Sequence, residues 1–260
     1  MLELLENDRR RYGLKTPSHT IDFGIEIGAL DTFFSFENQR LGKAELRQDA
    51  FKAHNNGNWF YTSRIRFSDA LLMVSEEGQV DQTCGQRVLK VEAMENSRLM
   101  DAVVRFVLDK DQVKSAFIGA QEIIHQRKNR YHQYPLDLVT LHLKNGLVMS
   151  FQPIPSVLPP GFKHVVYLRD EPDKWILHIR ALALNPSHYV LKGCTRWYNR
   201  PFPLIVQRIV LSSTWLRSRL LYVRERVSQR IPVQVNGAAN LPKGGIIQLA
   251  VHWNISHDAS

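Results

Sequence analysis

The sequence predicts a mainly β protein, an antiparallel sandwich or barrel-like fold, with a short N-terminal helix and one C-terminal amphipathic helix. Three observations carry that reading. Apolar and polar residues alternate in several short segments, the period of a strand with one buried face. The stretch "LVTLHLKNGLVMSF" joins two apolar runs through Asn145-Gly146, the dipeptide that supplies the positive φ angles of a type I′ hairpin. Between 153 and 160, "PIPSVLPP" holds four prolines, which remove backbone donors and forbid helix.

The elements follow in order. A helix is expected over Leu2–Tyr12, stopped by Gly13. "TIDFGIEIG" then reads as a strand with Ile21, Phe23, Ile25 and Ile27 on one face. "NWFYTSRIRF" places Trp59, Tyr61, Ile65 and Phe67 on one side of a second strand. "ALLMVSEEGQ" is expected to run as a strand into a turn, and "RVLKVEAM" and "AVVRFVLD" to form two more strands. After the Asn-Gly hairpin, "HVVYLRDEPDKWILHIRALAL" suggests another, with Glu171-Pro172-Asp173 at the turn.

"LIVQRIVL" reads as a strand, but "SSTWLRSRLLYVRERVSQR" has no apolar face at period two. At helical spacing Leu216, Leu220, Val223 and Val227 form a stripe, with Ser213 or Thr214 as cap. Strands are expected at Ile231–Val235 and Ile246–Ile255 around a Gly/Asn/Pro loop. The proline-rich stretch 153–160 is the linker candidate. It would divide the chain into a β-rich N-terminal domain, 1–152, and a basic β-rich C-terminal domain, 161–260, unless the whole is one domain.

At 260 residues the chain is long enough to bury a sizeable core. Its 44% hydrophobic and 23% charged residues are those of a folded protein. No apolar run approaches the roughly 20 residues of a membrane-spanning helix. The N-terminal "MLELLENDRRRYG" is acidic before it is basic, which does not suit a secretory signal. The two cysteines, Cys84 and Cys194, lie far apart and imply no disulfide framework, so a reducing, cytoplasmic setting is expected.

The net charge of +9 is unevenly placed. From Pro186 onward ten Lys and Arg face only two acids, Glu225 and Asp258, leaving the first 185 residues almost neutral. That segregation points to an anionic partner for the tail half. "TRWYNRPFP" flanks Trp197 and Tyr198 with Arg196 and Arg200, and "HQRKNRYHQYP" sets Arg127, Lys128 and Arg130 beside Tyr131 and Tyr134. Cations for phosphates and rings for bases are what single-stranded nucleic acid requires. The phosphate-binding candidates are Arg196, Arg200, Arg224, Arg226 and Arg230, with Trp197 and Tyr198 as stacking groups. The expected partner is nucleic acid or a cyclic dinucleotide, with an acidic protein as a further class.

Catalytic motifs are absent. No HExxH, CxxC, GxSxG or glycine-rich nucleotide loop occurs, so no metal or cofactor is expected. Cys84 and Cys194 read as inert loop or core thiols, and the acid pairs Glu76-Glu77 and Asp170-Glu171 as solvated turn charges. An enzyme or a structural protein with an unmarked site stays an alternative to the binding protein.

Arg226-x-x-x-Arg230 precedes a strand, a turn and a second strand carrying Asn254-x-Ser256. This pattern resembles the PilZ family, small β-barrels that bind cyclic di-GMP and carry RxxxR before the first strand and [DN]xSxxG after the second. The resemblance implies that Arg226 and Arg230 grip phosphates while Asn254 and Ser256 contact a guanine. The position of the final glycine is Ala259, and the remaining barrel strands have no counterpart in the sequence.

Overall fold

The computed structural model describes residues 3–7, 11–15, 20–28, 33–35, 45–53, 57–67, 70–125, 130–171, 173–183 and 239–257. Among them the chain is almost all strand: β1 (Glu3–Asn7), β2 (Arg11–Lys15), β3 (Thr20–Gly28), β4 (Phe33–Ser35), β5 (Glu45–Ala53), β6 (Asn58–Phe67), β7 (Ala70–Val80), β8 (Cys84–Ala93), β9 (Ser97–Leu99) and β10 (Asp101–Asp109). After a 3-10 turn at Lys110–Gln112 come β11 (Val113–Ile118), β12 (Gln121–Ile123), β13 (Arg130–Tyr134), β14 (Val139–Leu143), β15 (Leu147–Ile154), β16 (Phe162–Glu171), β17 (Lys174–Ala183), β18 (Ala239–Leu241) and β19 (Ile246–His257).

Every strand pair is antiparallel. The first sheet runs β1-β2-β3-β10-β17-β16-β13, with β4 also on β3. The second runs β12-β11-β14-β15-β19-β8-β7-β6-β5, and β9 with β18 forms a small ribbon. Both large sheets are open, so the described strands form no closed barrel. No described helix is long and apolar enough to cross a membrane.

One apolar cluster joins the inner faces of both sheets, the arrangement that lets each bury its apolar side. The alternations predicted for β3 and β6 hold. Ile21, Phe23, Ile25 and Ile27 are buried together, as are Trp59, Tyr61, Ile65 and Phe67. At the centre Phe23 packs against Trp59, Phe106 and Trp253 with ring centroids 5.3–5.7 Å apart, in tilted and edge-on geometries.

Two glycines make room for the indoles. Gly78 faces Trp59 and Gly85 faces Trp253 across neighbouring strands. A Cβ on either glycine would stand inside its partner's ring. The sequence reading took "EEGQ" as a turn, yet β7 continues through it to Val80.

The expected helix over Leu2–Tyr12 is replaced by the β1–β2 hairpin, in register from Glu3–Lys15 to Asn7–Arg11. Gly13 is no helix stop. It lies where β2 crosses closest to β3, and a Cβ there would meet the Ile21 carbonyl. The open edge of β3 supplied hydrogen-bond partners that a short isolated helix could not match. The expected C-terminal helix, and the strands expected at "LIVQRIVL" and Ile231–Val235, lie outside the described residues.

Both predicted hairpins form. β14 and β15 pair through a three-residue loop, 144–146, with Gly146 at φ 78°. That is the longer loop with glycine in the left-handed seat, in place of the two-residue type I′ turn. β16 and β17 pair up to Glu171–Lys174, with Asp173 in the turn as expected.

Candidate active site

The outer face of the first sheet is buried too. β10 and β17 are covered on both sides, and the buried residues they turn away from the inter-sheet core include Asp101, Arg105, His178 and Arg180. Register sets them in rows. Val165, Arg180, Val103 and Glu26 follow one another across β16, β17, β10 and β3. The adjacent row is Tyr167, His178, Arg105 and Gly24, and on the other side lies Lys163, Leu182, Asp101 and Gly28. Glu26, Asp101, Arg105, His178, Arg180 and Tyr167 are each between 0 and 7% exposed. Such groups are rarely buried without partners.

The partners are one another. Arg105 Nη1 donates to Glu26 Oε1 at 2.6 Å. The other carboxylate oxygen, Oε2, lies 4.0 Å from His178 Nε2. His178 Nδ1 is 3.5 Å from Arg180 Nη1, and Arg180 Nη2 donates to Asp101 Oδ2. The His178 imidazole stacks on the Tyr167 ring at 5.1 Å, and the Arg180 guanidinium also covers that ring. Val165, Tyr167 and Leu182 form an apolar cluster separate from the main core.

The two glycines of β3 matter here. With a side chain at Gly24, a Cβ would stand 2.9 Å from Arg105 Nε. Gly24 therefore lets Arg105 lie flat across β3 and reach Glu26, and Gly28 leaves the same kind of room for Asp101.

Burial pushes the Asp101 carboxyl above its ordinary value, with Glu26 adding to the effect and Arg180 opposing it. Burial disfavours the charge on Arg180, yet Asp101, Tyr167 and Glu26 hold its proton more tightly than usual. At the rim of this face, burial lowers Lys163. The assembly sets a carboxylate and an imidazole side by side, flanked by two guanidinium forks, a second carboxyl and an aromatic wall. Proton transfer and hydrogen bonding to hydroxyls are within its chemistry. Among the described residues no three His, Cys, Asp or Glu are grouped to hold a metal ion.

None of these six residues was singled out by sequence reasoning. The charge count pointed to the tail, because the front half is near neutral; here the charges are opposed in pairs and cancel. A signal was present. Arg105 interrupts the apolar run "AVVRFVL" and His178 and Arg180 interrupt "WILHIRALAL", where charge in a doubly buried strand is costly.

Arg196, Trp197, Tyr198, Arg200, Arg224, Arg226 and Arg230 lie outside the described residues, as do Cys194, Arg127 and Lys128. Asn254 and Ser256 are exposed on the outer face of the second sheet, at the C-terminal end of β19. Asn254 pairs with Cys84 on one side and Ser150 on the other. Tyr134 is no open stacking platform, since it packs against the main core. Cys84 is exposed at the start of β8. Glu76, expected as a solvated turn charge, is fully buried in β7 and paired with Arg87.

No protein-family model and no curated protein matches the sequence. Three solved structures are similar along nearly the whole chain. A galactose mutarotase related enzyme from Lactobacillus acidophilus has a TM-score of 0.48 at 6% identity, covering 99% of this chain and 98% of its own. A putative aldose 1-epimerase from Escherichia coli K12 has a TM-score of 0.45 at 8% identity, with 98% and 79% covered. A protein of Synechocystis sp. PCC 6803 has a TM-score of 0.45 at 9% identity, with 99% and 96% covered.

The PilZ resemblance is corrected on these findings. Two of the three are described as a putative aldose 1-epimerase and a galactose mutarotase related enzyme, and none as a PilZ barrel. The Asn254-x-Ser256 element belongs to a twelve-residue strand held on both sides within a nine-stranded sheet. The reading of a non-enzymatic protein with nucleic acid or cyclic di-GMP as partner is corrected as well. The charged groups that the described structure gathers are buried and matched with carboxylates, the reverse of an open basic surface.

Proposed function

We propose that this protein is an enzyme that moves protons on a small polyhydroxylated substrate, with Glu26 and His178 as the acid–base pair. The approach of Glu26 Oε2 to His178 Nε2, 4.0 Å on a buried face, is the observation that carries the reading. A hydroxyl oxygen can sit about 2.7 Å from both atoms at that separation. One group can then take its proton while the other returns one to a neighbouring oxygen.

The surroundings favour sugar-like chemistry. Arg105 and Arg180 offer forked donors, Asp101 an acceptor, and Val165, Tyr167 and Leu182 an apolar wall for C–H groups. The simplest reaction is opening of a cyclic hemiacetal. The anomeric hydroxyl loses its proton to the base and the ring oxygen gains one from the acid. The bond between anomeric carbon and ring oxygen breaks, leaving a carbonyl whose reclosure on either face interconverts the anomers. Nothing is oxidised or reduced, and the protons balance.

Saturation-transfer NMR between anomeric resonances of an aldose panel tests this directly. Wild-type protein should accelerate exchange for at least one sugar, and Glu26→Gln and His178→Asn should each reduce the rate by about 10²–10⁴. Equal exchange with and without wild-type protein across the panel would sink the reading.

A further inference from the structure

Arg87 belongs to the second sheet, but two of its hydrogen bonds go to the first. It lies on the inner face of β8 in line with Leu89 and Val91, fully buried. Its Nη1 donates to the Arg105 carbonyl at 2.7 Å, and its Nη2 to the Gly24 carbonyl at 3.1 Å. Nε donates to Glu76 Oε1 at 2.6 Å. The guanidinium carbon sits 4.4 Å from the Phe23 ring centroid and 4.9 Å from that of Phe106.

Gly24 and Arg105 face each other in the β3–β10 register, and His178 and Tyr167 continue the same row. Arg87 therefore grips the backbone from below at the row from which Arg105 reaches Glu26 above. A buried Arg–Glu pair is a poor choice for stability alone, because apolar residues of like volume often serve as well. The fork geometry suits a different task, holding two strand carbonyls at one spacing.

We propose that Arg87 is a positioning residue: by holding the Gly24 and Arg105 carbonyls together it keeps Arg105 on Glu26, and so holds the Glu26 side chain beside His178. The consequence for catalysis rests on the acid–base reading of the site, but the test needs no substrate.

The test is side-chain NMR of the Arg105 guanidinium in the full chain, comparing wild type with Arg87→Met, Arg87→Lys and Glu76→Gln. The hydrogen bond to Glu26 slows rotation of that fork. Arg87→Met should speed the rotation by about tenfold, the loss of one hydrogen bond to a charged group. Arg87→Lys, a point charge able to reach one carbonyl, should give a smaller increase. Glu76→Gln keeps an acceptor for Arg87 and should leave the rotation rate in place.

A lower melting temperature with an unchanged Arg105 rotation rate in both Arg87 variants would overturn the proposal and leave Arg87 as a stability element. If Arg87→Met does not fold, Arg87→Lys decides by the same criterion. Faster Arg105 rotation in the variants of a protein that turns over no sugar would keep the positioning role and discard the acid–base reading.

Discussion

Gly85 and Trp253 face each other across β8 and β19, and the indole occupies the space where a Cβ on Gly85 would stand. Gly78 and Trp59 repeat the relationship across β7 and β6. The two indoles tilt toward each other at 6.4 Å and close around Phe23, so the middle of the sandwich depends on two missing methyl groups.

Gly85→Ala and Gly78→Ala should each cost about 3 kcal/mol, the upper range for overpacking a core. Gly146→Ala should cost only about 1 kcal/mol, since Gly146 has a positive φ but open space around it. Urea unfolding of the three variants checks the order. Equal losses at all three positions would mean that the indoles move aside freely.

Removing one member of the Arg87–Glu76 pair should destabilise by about 3–5 kcal/mol, because the other is left charged in the core. A double substitution, Glu76→Leu with Arg87→Met, should recover much of that loss. The double-mutant cycle by chemical denaturation would show strong coupling. Additive losses would contradict the pairing.

Burial raises the Glu76 carboxyl from 4.5 to about 7, with Arg87 opposing the shift. The native state therefore binds a proton that the unfolded chain releases between these values. That contribution to stability is fully present below pH 4.5 and is lost as pH rises toward 7, by about 3 kcal/mol in all. Glu76→Gln should remove this slope. His164 works the other way: burial lowers it, so its contribution is lost as pH falls. The wild-type minus Glu76→Gln difference in unfolding free energy across pH 4–8 isolates Glu76. A flat difference would refute the shift.

The Asp101–Arg180 pair should trade stability against function. Asp101→Leu alone leaves Arg180 without its carboxylate and should cost about 3–5 kcal/mol. Asp101→Leu with Arg180→Met should be as stable as wild type or more so, while sugar turnover disappears. Thermal unfolding and the anomer-exchange assay together check this. A stable double variant with full turnover would remove both residues from the site.

The strand faces were legible in the sequence because side-chain alternation is local. Residues two apart share a side whatever lies next to the strand, so Ile21, Phe23, Ile25 and Ile27 could be placed on one face without knowing their partners. The β14–β15 and β16–β17 hairpins were legible for the same reason, since backbone preference acts over a few residues. The hairpin over Glu3–Lys15 was not legible, because it forms on an edge that β3 presents only after folding.

The site was decided by register alone. Glu26 and Arg105 stand 79 positions apart in the chain, as do Asp101 and Arg180, and only the order β3-β10-β17-β16 makes them neighbours. Their charges cancel in pairs, so composition, which sums over the chain, passes over them and favours the unopposed arginines of the tail. Strand pairing is a long-range choice governed by which apolar faces meet across the sandwich. It converts scattered, mutually neutralising residues into one buried face where the Glu26 carboxyl and the His178 imidazole stand side by side.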